Sequence, residues 1–246
     1  VAGDATFTDS ANAGITLGTL AADGNVILSG GNTLLTNDTV LNVQGTVTGT
    51  LGATATSGGI TDSGELNVSG AATFTSASGS NIVLDTASNT FGDAVSFVAS
   101  TGTLNNVTIV DDTALDLQAL TIGGNLVATG AGLTDSGALV IGGTTTLSAG
   151  VGGNIALDTG TNDFGTVVIS SGNNVTLVDA DDIAVEGTVS GTLGVTATTG
   201  GITDSNTLSV VGNATFTDSA NAGITLDTLA ADGNVIVSGG NTLLTN

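Results

Sequence analysis

Short apolar runs alternate with Thr, Ser or Asn along the whole of this chain, and Gly, Asn, Asp and Ser fill the gaps between them. ATFT, GITL, NVIL, TLLT, VLNV, TVTGTL, ATAT, GGIT and ELNV follow one another over residues 5–68. Ile15-Thr16-Leu17 and Leu66-Asn67-Val68 show the alternation most plainly. A period of two is the signature of strands that bury one face. The interrupting residues tolerate tight turns and left-handed backbone. No segment has a 3.6-residue period, so the pattern predicts an all-β protein.

The strands are also periodic at two longer scales. Residues 1–37 return as residues 210–246 with 33 of 37 positions identical, an offset of 209. Within that period, GGITDSGELNVSG around Asp62 recurs as AGLTDSGALVIGG around Asp135 and GGITDSNTLSVVG around Asp204. Phe7, Phe74, Leu147 and Phe216 keep the same phase, as do the Ile-x-Leu pairs that begin at Ile15, Ile82, Ile155 and Ile224. The expectation is one continuous stretch over 1–246, taken from a longer array. Its period of 209 is built from three diverged units, approximately 4–70, 71–143 and 144–212.

A unit cannot bury its apolar face alone, whereas stacked units share a continuous core. One strand falls in every 7 or 8 residues, so three strands make a coil of about 22–24, the size of one rung of a parallel β-helix. The predicted fold is therefore a parallel β-solenoid with about three strands per rung. The absence of Pro agrees, because every backbone N–H of a central strand is needed for the ladder. A string of separate β-sandwiches is the rival fold, but a unit is well short of the roughly 100 residues such domains use.

Composition removes whole classes of function. The chain has no Lys, Arg or His against 22 acidic residues, a net charge of −22. Phosphate-mediated nucleic-acid binding depends on cationic side chains, so nucleic acid is excluded as a partner. Anionic lipid is disfavoured for the same reason, and no apolar run approaches the roughly 18 residues of a membrane helix, so no membrane insertion is expected. Nucleophilic triads lack their base. Sugar-cleaving carboxylate pairs would lack the Trp and Tyr platforms that sugar sites rely on. The expectation is no enzyme. With no start Met and no cationic n-region, no signal peptide is expected within the stretch, and export is expected to be directed from outside it.

The remaining chemistry is that of carboxylates. Asp179, Asp181, Asp182 and Glu186 fall within eight residues, and Asp111, Asp112 and Asp116 occupy the matching stretch of the preceding unit. Such hard oxygen donors suit Ca²⁺, which makes it the one candidate cofactor. The alternative is that they are solvated turn formers, as are the Thr-Asp-Ser aspartates Asp9, Asp62, Asp135, Asp204 and Asp218. A stack of about 10–11 rungs at roughly 4.8 Å each would be about 50 Å long. Its acidic groups would then lie one per roughly 2.3 Å, close to the charge density of duplex DNA, so divalent cations would gather along it and bridge neighbours. Thr-x-Thr strings at Thr46–Thr48, Thr54–Thr56, Thr144–Thr146 and Thr196–Thr198 raise an ice-binding alternative, but their spacing is irregular.

The runs GITDSNTLSVVGNATFTDSANAGITLDT and NIALDTGTNDFGTVVISSGNNVTLVDADDIAV resemble the repeats of filamentous-haemagglutinin-type exoproteins and giant bacterial adhesins. The resemblance implies a right-handed parallel β-helix, secreted and displayed on a bacterial cell surface, working in adhesion or as an extracellular fibre. The expected function is thus a structural fibre or adhesin stalk that self-associates end to end and laterally, with a host or neighbouring cell as a further partner. A glycan- or cell-binding adhesive module is the alternative.

Overall fold

The computed structural model describes residues 1–245, and every strand pairing among them is parallel, with no helix. The chain divides into two compact units, Val1–Gly124 and Asn125–Asn246. Each is a β-solenoid, as the alternation predicts, with roughly 20 residues per turn.

In the first unit one track of stacked strands runs through Ala5–Thr8, Asn25–Gly30 and Leu41–Val47, then Ile60–Thr61 with Leu66–Val68, and Ile82–Leu84 with Thr90–Phe91. A second track runs through Ile15–Leu20, Thr33–Asn37, Leu51–Ala55, Ala72–Ser76 and Val95–Ala99. Leu41–Val47 shows how the first track makes two faces. Leu41 pairs with Ile60, and Gly45 pairs with Leu66 in a separate strand. The bend lies at Gly45, whose φ of 117° is left-handed territory. A Cβ there would meet the Leu28 carbonyl oxygen at 2.1 Å, so only glycine fits.

The second unit repeats the scheme. Its first track includes Leu139–Ser148, Asp163–Gly172, Ile183–Val189 and Ile202–Val210. Its second includes Ile155–Leu157, Val175–Asp179, Leu193–Ala197, Ala214–Asp218 and Val235–Ser238. Gly187, at φ 114°, bends Ile183–Val189 as Gly45 bends its counterpart.

The coil is shorter and less even than the 22–24 residues that strand spacing suggests. Val26 stacks on Val43, a coil of 17, and Val167 on Val185, a coil of 18, whereas Ile82 stacks on Val107, a coil of 25. Where a glycine bends one strand around a corner the coil loses a loop. Where a loop joins Ala99 to Val107 it gains one, with Leu104 of that loop buried and bridged to Ile122, and the stack tolerates both because each strand need only find its neighbour above and below.

Inward positions form ladders of like residues. Leu41, Ile60, Ile82 and Val107 lie in register and are fully buried, as do Ile183, Ile202 and Ile224. Phe74 and Phe97 stack with ring centroids 5.8 Å apart, and Phe91 meets Phe74 edge-on at 6.1 Å. Each such side chain contributes roughly 1.5–3 kcal/mol by leaving water. Outward positions are mostly Thr, Ser, Asn and Gly, with single apolar residues such as Leu34 and Val98 among them.

Candidate functional site

The side chains of defined chemistry in this chain lie between coils. Asn37 and Asp179 end equivalent strands, Thr33–Asn37 and Val175–Asp179, and Asp111 directly follows Val107–Val110, which has the matching place in the sequence repeat but stacks on the first track. The alternation that points Val175 and Leu177 inward points Asp179 inward too, and all three polar groups are buried. Asn37 shows what the position asks for. Its Oδ1 accepts the Ala22 N–H at 2.9 Å, while its Nδ2 donates to the Ala22 carbonyl at 3.1 Å and the Val40 carbonyl at 2.8 Å.

A carboxylate at this place can only accept. Asp179 takes the Phe164 N–H at 2.6 Å and the Asp181 N–H at 2.9 Å. Asp111 takes the Thr113 N–H and hydroxyl on one oxygen, both at 2.8 Å, and its other oxygen is buried with no hydrogen-bond partner. Burial without a cation raises both groups above the ordinary carboxylate range, and Asp181 and Asp163 nearby push Asp179 further, to about 6.

Three of the five Thr-Asp-Ser aspartates do a different job. Asp62 accepts the Asp85 N–H at 3.0 Å, the Thr86 N–H at 3.3 Å and the Asn89 amide at 2.5 Å, all in the next coil. The Asn89 Oδ1 in turn accepts the Leu66 N–H at 2.8 Å. Asp135 repeats this with Asp158, Thr159 and Asn162, and Asn162 accepts from Leu139. Asp204 holds the N–H groups of Asp227 and Thr228 at 2.8 and 2.7 Å. There Ala231 stands at the place of the asparagine, and the Thr228 hydroxyl donates to Asp204 at 3.0 Å instead. These three are staples between coils, whereas Asp9 and Asp218 are the turn formers expected, each accepting N–H groups two and five residues on. The clue in the sequence is the Leu-Asp-Thr that follows these three Thr-Asp-Ser triplets about one coil later, with Asn three residues beyond it in two of them. It is read only when the coil length is known.

The residues expected as Ca²⁺ ligands do not come together as a ligand set. Asp111 and Asp179 point inward, Asp179 accepting backbone N–H groups and Asp111 the N–H and hydroxyl of Thr113 on one of its two oxygens. Asp112, Asp181 and Asp182 are exposed, and Asp182 accepts the Gly201 N–H at 2.7 Å. Glu186, half-buried, accepts the Ser205 hydroxyl at 2.9 Å and the Asn206 amide at 2.5 Å, and Asp116 is also half-buried. Among the described residues no group of three or more His, Cys, Asp or Glu side chains is placed to hold a metal ion. Nor do the Thr strings make a regular surface. Thr36, Thr54 and Thr75 line up as one rank, and the neighbouring rank is Leu34, Gly52 and Thr73.

A family described as repeats of unknown function (DUF5649) matches residues 30–98, 104–171 and 172–243. No curated protein and no solved structure matches the chain.

Proposed function

Because the chain belongs to the DUF5649 repeats, a family whose description carries no activity, we propose from its own geometry that it is a structural segment, a stalk or fibre element on a bacterial surface. The observation that carries this reading is where the recurring polar side chains are spent, within the chain itself. Asp62, Asp135 and Asp204 all serve to tie one coil to the next. The resemblance to filamentous-haemagglutinin-type repeats supports export and display. A surface with 22 acidic groups and no cationic side chain to neutralise them draws counterions, so divalent cations would bridge neighbouring stalks laterally.

Electron microscopy of the protein in calcium and then in chelator tests this. Thin uniform rods whose bundles separate on chelation are the expected result. Flexible beads would sink the stalk, and bundles indifferent to chelation would remove the cation from lateral contact. One feature favours an adhesive module instead: an open groove of about 560 Å³ in the first unit, lined by Thr16, Asn32, Leu34, Gly52 and Thr73. Saturable binding of a soluble glycan there, abolished by Gly52→Trp, would support that second reading.

A further inference from the structure

The sequence repeat and the coil of the solenoid are out of step by about half a turn. In the first compact unit Phe7 stacks on Leu28, Leu28 on Gly45 and Gly45 on Leu66, three whole coils along the first track. Phe74, the repeat of Phe7, lies eight residues beyond Leu66 and so falls on the second track. The second compact unit does the same. Leu147 stacks on Ile169, Ile169 on Gly187 and Gly187 on Leu208, and Phe216, the repeat of Leu147, again lies eight residues on, in the second track. The Ile-x-Leu marker crosses the other way. Ile15, Thr33, Leu51 and Ala72 stack on the second track, and Ile82 comes ten residues later on the first. Ile224 likewise comes ten residues after the column Ile155, Val175, Leu193 and Ala214.

The two tracks flank one core, so their outer faces look away from each other. Phe91 of the first track meets Phe74 of the second edge-on inside the first compact unit. In the second, a Cβ added to Gly172 of the first track would meet the Ile155 side chain of the second at 3.0 Å. Each compact unit therefore shows one strand pattern on two opposed sides. Thr6 on the first track and Thr73 on the second hold the same outward place in the pattern and both are exposed, and Thr146 and Thr215 are both half-buried. The carboxylate staple crosses as well. Within the second compact unit Asp135 belongs to Gly132–Asp135 of the second track and Asp204 to Ile202–Val210 of the first, and each ties down an exposed aspartate, Asp158 or Asp227.

We propose that this chain is two-sided in its lateral contacts, so that further copies of it dock on both the first-track and the second-track face and build flat sheets one molecule thick. The occupant of each face is a second copy of the chain. A face that carries carboxylates and no cation of its own meets another such face through shared divalent ions. A contact made by the strand pattern on one track is then available again on the other. A contact repeated on opposed sides does not close on itself, so it goes on adding molecules in a plane. Were the sequence repeat a whole number of coils, every copy of the pattern would lie on one side and lateral contact would stop at pairs. The two-sided docking rests on the cation-bridged contact of the stalk reading and gives that contact its directions.

The chain has no Cys, so Thr6→Cys and Thr73→Cys each carry one bulky maleimide polymer on a chosen face. Both positions are exposed, and the labelled chains should keep the melting temperature of the unlabelled one. The test is electron and atomic force microscopy of the whole chain in calcium, with and without each label. Sheets of single-molecule thickness are expected from the unlabelled chain, cut down to pairs or single rods by either label alone. Sheets that survive the label on either track overturn the two-sided docking and leave cation-bridged lateral contact standing, as do unlabelled chains that form only pairs or round bundles. Unlabelled chains that stay single in calcium overturn the docking and the lateral contact together.

Discussion

The side-chain amide of Asn89 donates to Asp62 across a coil boundary at 2.5 Å, and the same side chain accepts the N–H of Leu66 at 2.8 Å. One buried asparagine therefore closes a loop of hydrogen bonds that includes two neighbouring turns of the solenoid. Its counterpart is Asn162, which bonds Asp135 at 2.7 Å and Leu139 at 2.8 Å.

Removing that asparagine leaves a buried N–H and a carboxylate short of a donor. Asn89→Ala should cost about 1–3 kcal/mol. Asp62→Ala should cost a similar amount, and the double variant clearly less than the sum, because the two act in one network. Urea denaturation of the three variants checks this. Full additivity would show that the staple is not a unit. Ala231→Asn should stabilise the coil held by Asp204, since that place already has the acceptor.

Two glycines turn the corners. Gly45→Ala and Gly187→Ala each put a Cβ about 2 Å from a carbonyl oxygen, 2.1 and 2.0 Å respectively, at a left-handed φ. Each should cost roughly 1–3 kcal/mol or prevent folding of its coil. Gly165→Ala is the control, because nothing lies within 4 Å of its Cβ position. Thermal melting that ranks Gly165→Ala with the other two would remove the corner from the account of coil length.

Acid should stabilise this protein. The Asp179 pKa in the fold is about 6, above the 3.8 of an unfolded aspartate. Between those values the folded state holds the proton and the unfolded state does not, so stability rises as pH falls from above 6 towards 4 and is lost as pH rises through 6. Asp111 is shifted in the same direction. Asp179→Asn places at this position the residue found at Asn37, and it should raise the denaturation midpoint at pH 8 while flattening its pH dependence. An unchanged slope between pH 4.5 and 8 in that variant would assign the effect to general charge repulsion instead.

The aromatic ladder supplies the heaviest packing in the first unit. Phe74 is fully buried and touches both Phe91 and Phe97. Phe74→Ala should cost about 3–5 kcal/mol, whereas Val98→Ala, an exposed position on the neighbouring strand, should cost little. Comparing the two denaturation midpoints separates core burial from strand propensity.

The strands, their parallel stacking and the dry interior follow from local features of the chain. Alternation such as Leu66-Asn67-Val68 decides which face is buried, and the Gly, Asn and Asp runs decide where each segment stops, because both depend on nearest neighbours along the backbone. Coil length does not follow from strand count. It depends on whether a corner is a glycine bend inside one strand, as at Gly45, or a loop, as at residues 99–107, and that choice is made by contacts with the carbonyl of the coil below. The partners of the carboxylates are non-local for the same reason. Asp62 meets Asp85, Thr86 and Asn89 only because one turn brings them alongside, and Asp111 and Asp179 read as surface ligands in a line of letters although the pleat turns them inward. Side-chain periodicity is a property of a strand and can be seen in one dimension; which charge lies over which amide is a property of the stack, and only the wound chain decides it.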